Sequence, residues 1–71
     1  RKDRMMKIDD MVEAISSGNV LVYVGHDQSR GYYIFMERNG DIISISNDEF
    51  DPADYRVISD PIEQMDVILS A

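Results

Sequence analysis

The sequence predicts an α+β domain: a three- to four-stranded antiparallel meander with an N-terminal and a C-terminal helix packed on one face. Three observations lead there. Two stretches near the ends space apolar residues at helical intervals, Ile8, Met11, Val12 and Ile15 in one and Ile62, Met65 and Leu69 in the other. Between them lie runs rich in β-branched and aromatic residues, punctuated by Gly, Asn and Asp. The chain has 71 residues and no internal repeat, which is room for a single small domain.

The elements follow in order. Residues 1–7, "RKDRMMK", are basic and lead into no apolar signal core, so they are expected to be a flexible arm or a cloning remnant ahead of a domain over 8–71. "IDDMVEAIS" then predicts a short amphipathic helix. Asp10 and Glu13 stand three apart as in a capping box, and Gly18 suits the position just past the helix end. "NVLVYVGH" is the first strand, "DQSRG" a turn and "YYIFMER" the second strand. Asn39-Gly40 is a strong hairpin signal, with positive φ expected at both turn positions. "DIISISN" is the third strand, with Ile43 and Ile45 on one face and Ile42, Ser44 and Ser46 on the other. Tyr33 and Phe35 likewise share a face of the second strand, against Tyr32, Ile34 and Met36. Both faces of that strand are apolar, so it is either central or meets a partner or another copy of the chain, as in a homodimer. "YRVIS" is a fourth strand, with Tyr55 and Val57 on one face. In "DPIEQMDVILSA", Asp60 is the N-cap, Pro61 the first helical residue and Glu63 the far half of a capping box.

Charge is the outlying property. The whole chain carries −7, while residues 1–7 alone carry +3. The body from Ile8 to Ala71 therefore holds thirteen acidic and three basic residues, Arg30, Arg38 and Arg56, a net of −10. Such a surface repels nucleic acid and anionic membranes and attracts basic clefts. No apolar run approaches the roughly 20 residues that span a bilayer, and there is no Cys for a disulfide, a thiolate metal site or a thiol nucleophile. A cytoplasmic location is the expectation.

The sequence gives no sign of an enzyme. His26, Asp27 and Ser29 crowd one predicted turn, where the convergence that a triad requires is not expected. No nucleophile elbow, phosphate loop or dinucleotide fingerprint occurs. The acidic residues fit no EF-hand spacing, and neither a metal nor a cofactor is expected. Tyr23, Tyr32, Tyr33 and Phe35 lack the basic surround that a base-stacking platform needs, so direct nucleic-acid binding is not expected either.

The remaining feature is "NDEFDPAD". Asp48, Glu49, Asp51 and Asp54 place four carboxylates within seven residues, without an intervening base. DNA presents one negative charge per roughly 1.7 Å of helix axis, and closely spaced carboxylates can imitate that row for a groove lined with Lys and Arg. The plainer reading is a solvated loop whose Asp residues serve turns, Asp51-Pro52 being a turn starter. Both readings stand at this point.

"MKIDDMVEAI", "VLVYV", "GHDQSRG" and "YYIFMERNGDIISIS", followed by the acidic stretch, together resemble the small DNA-mimicking anti-CRISPR proteins of phages, from Met6 to about Phe50. The resemblance implies a non-catalytic anti-defence inhibitor that blocks a host nucleic-acid-binding protein, such as a CRISPR effector nuclease, through its basic cleft. Asn39, Gly40 and Asp41 would then correspond to an inhibitory hairpin loop. The candidate partner-binding residues are thus Asn39, Asp41, Asp48, Glu49, Asp51 and Asp54. A helix ending at Gly18, the strand "YYIFM" and "DPADYRVI" also resemble phage anti-defence sponges. That likeness implies a homo-oligomer sequestering a signalling nucleotide, with Tyr residues and Arg30, Arg38 or Arg56 in its pocket. A small structural or adaptor domain is the third reading.

Overall fold

The computed structural model describes residues 6–70. Strands β1 (Met11–Ala14), β2 (Val20–Asp27), β3 (Tyr32–Glu37) and β4 (Ile42–Ser46) form an antiparallel meander. The chain then crosses back through a single 3₁₀ turn, Pro52–Asp54, and β5 (Tyr55–Val57) pairs with the free side of β1. The sheet order is β4-β3-β2-β1-β5, and helix α1 (Pro61–Leu69) follows it. The architecture is α+β, with one more strand and one fewer helix than the sequence predicts.

The missing helix is the main correction. The stretch expected to be helical contains β1, and three features oppose a helix there. Asp9 adopts φ 78°, a left-handed conformation that cannot sit inside a right-handed helix. Asp10 is tied into a tight turn, its N–H donating to the Lys7 carbonyl at 2.9 Å and its carboxylate accepting from Lys7 N–H at 2.8 Å. Val12 lies between Leu21 and Val57 and is completely buried, so strand pairing on both sides outweighs local periodicity. Gly18 does have positive φ, but it serves the β1–β2 hairpin, where its N–H donates to Ala14 at 2.7 Å. Of the arm expected over residues 1–7, Met6 packs against the core and Lys7 joins that turn. Residues 1–5 lie outside the described residues.

The β3–β4 hairpin also differs in detail. Gly40 alone takes positive φ. Its N–H donates to Glu37 and Glu37 N–H donates to Asp41, giving a three-residue loop of a type I turn closed by a left-handed glycine. A two-residue turn with positive φ at Asn39 is not formed.

The main core cluster, to which the fully buried Ile58 does not belong, occupies one face of the sheet. Val12, Leu21, Tyr23 and Phe35 are buried there, bordered by Tyr33, Ile43, Ile45, Phe50, Tyr55 and Val57. The alternations expected for β3 and β4 hold, with Tyr33, Phe35, Ile43 and Ile45 turned inward. The sheet is strongly curled. Phe35 on β3 stacks on Tyr55 of β5 with ring centroids 5.4 Å apart, although β2 and β1 lie between those strands. A bulge between Tyr23 and Gly25 on β2 supplies extra twist.

Helix α1 lies on the opposite, outer face, where Met11, Val22, Met36 and Ile42 form one cross-strand row. Asp60 caps it as expected, its carboxylate accepting from Ile62 N–H at 3.1 Å. Glu63 does not complete a capping box. It turns instead to Arg56, which also holds Glu13 on β1. The stripe Ile62, Met65 and Leu69 is not packed: these residues are 73%, 56% and 75% exposed, while Glu63, Gln64 and Val67 turn toward the sheet.

Candidate binding surface

The acidic loop has an aromatic anchor. Phe50 N–H donates to Ser46 at 2.9 Å, and its ring stacks on Tyr33 at 4.0 Å and on Tyr55 at 5.4 Å. The loop thus runs from the end of β4 to the start of β5 with Phe50 turned into the mouth of the core. Asp48, Glu49, Asp51 and Asp54 are all exposed along it. An apolar residue flanked by carboxylates in a tight segment produces this arrangement: the ring is half-buried against the core and the charges remain in water. The far end is held by Ile15 N–H, which donates to the Asp54 carbonyl at 2.9 Å.

The plainer role is realised at one of the four carboxylates. Asp51 caps the 3₁₀ turn, accepting from Ala53 N–H at 3.0 Å. Among the described residues, Asp48, Glu49 and Asp54 make no side-chain hydrogen bond or ion pair.

Asn39 and Asp41 stand elsewhere. Asp41 accepts from the Asn39 amide at 3.1 Å and donates its own N–H back at 2.9 Å, so the pair shapes its turn. That turn precedes β4 and the acidic loop follows it. With roughly 3.4 Å per residue, the two are separated by about 20 Å. The six candidate residues therefore do not form one cluster, and only the four in the loop are brought together.

His26 lies at the end of β2. It stacks on Tyr33 with centroids 4.2 Å apart, and its Nε2 pairs with Asn47 Oδ1 at 2.9 Å. Asp27 instead accepts from the Ser29 hydroxyl at 2.8 Å, which holds its carboxyl below the usual range, with a smaller effect from Arg30. His26 and Ser29 thus have separate partners. The turn places Arg30 near the start of the acidic loop, because Asn47 N–H donates to the Gly31 carbonyl.

The three arginines are dispersed. Arg30 is exposed on the β2–β3 turn and Arg38 follows β3. Arg56 on β5 is committed to two carboxylates, at 2.8 Å to Glu13 and 2.6 Å to Glu63. Its hydrogen bond to Glu63, and then that to Glu13, raises the guanidinium pKa. The same bond lowers that of Glu63. Sequence reasoning missed this clip, since Glu13 and Arg56 are 43 positions apart.

Among the described residues, no group of three or more acidic or His side chains is gathered closely enough to hold a metal ion, and no helix is long and apolar enough to cross a membrane. No family model, curated protein or solved structure matches the chain.

Proposed function

We propose that the protein is a non-catalytic binding domain whose acidic loop occupies the basic cleft of a nucleic-acid-binding protein, in the manner of a phage anti-defence inhibitor. The observation that carries this reading is Phe50, seated against Tyr33 and Tyr55 while the carboxylates around it remain exposed. A row of charges fixed to a packed ring loses less conformational freedom on binding than the same charges on a loose loop. A body of net −10 adds steering toward a cationic cleft. The resemblance to DNA-mimicking anti-CRISPR proteins makes a CRISPR effector nuclease one candidate target. The hairpin at Asn39 and Asp41 is a separate surface in this proposal, because β4 lies between it and the loop.

The test is affinity capture from a bacterial lysate on immobilised protein, washed at low and then high salt, beside a variant carrying Asp48→Asn, Glu49→Gln, Asp51→Asn and Asp54→Asn. Asn is as good a turn cap as Asp, so the fold should survive. The wild type should retain a DNA- or RNA-binding protein that high salt releases, and the variant should lose it. Equal retention by both would exclude the loop as the contact.

A further inference from the structure

We propose that the free edge of β4 is a docking strand for an extended basic segment of a partner protein, which joins the sheet by backbone pairing. The sheet order leaves β4 with one neighbour, β3. Two bonds fix which of its backbone groups are spare. Glu37 N–H donates to the Asp41 carbonyl at 2.8 Å and Asn47 N–H to the Gly31 carbonyl at 2.9 Å, one at each end of the strand pair. Hydrogen-bonded pairs alternate along an antiparallel ladder, so the bonded pairs between them are Phe35 with Ile43 and Tyr33 with Ile45. The N–H and C=O groups of Ile42, Ser44 and Ser46 therefore point away from β3. The Ser46 carbonyl is taken by the N–H groups of Glu49 and Phe50, at 3.0 and 2.9 Å. Among the described residues, both groups of Ile42 and Ser44 and the N–H of Ser46 have no backbone partner.

No residue of β4 guards this edge. Sheet edges are ordinarily blunted by Lys, Pro, a bulge or a very short strand. β4 reads Ile-Ile-Ser-Ile-Ser and pairs with β3 without a register shift. Ile42 and Ser44 are exposed, and Ile43 and Ile45 are half-buried on the core side. The opposite edge, β5, has three residues, carries Arg56 and uses its Tyr55 N–H on the Pro52 carbonyl.

Charge selects the occupant. Asp41 stands at one end of β4 and Asp48 and Glu49 just past the other, all exposed. The nearby cations are directed elsewhere, Arg38 to the Ile68 carbonyl at 3.5 Å and Arg30 to Asp27 at 3.8 Å. A β-branched strand with Lys or Arg at both ends would meet a carboxylate at each end, with its inward residues beside Ile43 and Ile45. A second copy pairing antiparallel about Ser44 fares worse. Asp41 would come next to Asp48 of the copy, and like charges across a strand pair are destabilising. Ile42 N–H would also meet a Ser46 carbonyl that is already occupied. The edge adjoins the acidic loop, but this inference does not require the loop to enter a cleft.

The test uses a fluorescent synthetic peptide of alternating Thr and Val flanked by Lys pairs, a counterpart with Glu for every Lys, and a Lys peptide N-methylated through its Thr/Val stretch. The last keeps the charges and side chains but cannot pair along a strand edge. Anisotropy titrations are run with the full chain, with Ser44→Pro, and with Asp51→Asn/Asp54→Asn. Pro is tolerated where the N–H of an edge strand faces solvent, and circular dichroism checks each fold. Saturable binding of the Lys peptide is expected, with slowed amide exchange at Ile42 and Ser44. Ser44→Pro should weaken it about tenfold or more, and Asp51→Asn/Asp54→Asn should leave it within about twofold. The Glu and N-methylated peptides should not bind. Failure of the Lys peptide to bind, or equal binding of the N-methylated peptide, would overturn the proposal whether or not Ser44→Pro folds. Binding kept by Ser44→Pro and lost by Asp51→Asn/Asp54→Asn would overturn it too, placing the peptide on the acidic loop and leaving that reading intact. Sedimentation showing a dimer that Ser44→Pro breaks would make a second copy the occupant and also overturn it.

Discussion

At the scale of single residues, this chain separates apolar character from burial. Phe35 is fully buried, with Tyr23 at 5.5 Å, Tyr55 at 5.4 Å and Phe50 at 6.2 Å between ring centroids, so it joins three strands and the acidic loop. Truncating a buried Phe to Ala costs about 3–5 kcal/mol. A chain of 71 residues has on the order of 4–10 kcal/mol of stability in total. Phe35→Ala should therefore remove about a third or more of the total stability, visible as a large fall in the urea midpoint. Ile62→Ala should behave oppositely. That side chain was expected in the core stripe of the second helix but is largely exposed, so its loss should shift stability by no more than about 0.5 kcal/mol. A large effect at Ile62 in urea titrations would mean that the stripe of Ile62, Met65 and Leu69 is covered in solution.

At the scale of elements, the sequence was informative wherever local chemistry decides the outcome. The four strands from Val20 to Val57, the residues that share a face on β3, β4 and β5, and the Asp60-Pro61 start of α1 all follow from alternation, turn residues and capping. β1 was illegible because only four residues pair, and because Ile8, Met11, Val12 and Ile15 satisfy a helical spacing by coincidence. What decides it is the pairing of Val12 with Val57, a long-range contact that no local window contains. The acidic site was half legible. The run 48–54 could be read, and the strand separating it from Asp41 could have been measured out at its known rise per residue. The seating of Phe50 against Tyr33 and Tyr55 could not, since it depends on the curl of the sheet. The helix gives this scale its prediction. α1 is joined to the sheet by polar and apolar groups: Gln64 donates to the carbonyl of the fully buried Ile58 at 2.8 Å, Arg56 bridges Glu63 to Glu13, and Val67 and Ile68 border Met11, Val20 and Val22. Asp60→Ala removes its cap at a cost of about 1 kcal/mol. Because the main core cluster lies on the other face, the loss should stay local. Amide exchange over residues 61–69 should quicken roughly fivefold, while the β2 and β3 amides keep their protection. Uniform loss of protection across the sheet would show that α1 is integral to the cooperative unit.

At the scale of the whole molecule, titration connects the two faces to stability with opposite signs. On the outer face, the Arg56 hydrogen bonds hold Glu63 below its ordinary value of 4.5. The unfolded chain therefore binds the proton more readily than the folded one. The contribution of Glu63 is complete above about pH 4.5 and is lost as pH falls through the lowered folded value. On the core face, burial, with a smaller push from Asp54, raises Tyr55 above its ordinary 10.0. Its contribution is complete below about pH 10 and is lost as pH rises toward the raised folded value. The many other carboxylates also titrate, so the clean observable is the difference between the wild type and a variant at each pH. The stability gap between wild type and Glu63→Gln should be constant above pH 4.5 and shrink on acidification, as protonated Glu63 comes to resemble Gln. The gap between wild type and Tyr55→Phe should be constant through neutrality and move against the wild type above pH 10. Urea midpoints measured across both windows check this. A Glu63→Gln gap that stays constant into acid would mean that the Arg56 bridge does not persist in solution, leaving α1 attached by Gln64, Arg38 and the apolar contacts of Val67 and Ile68.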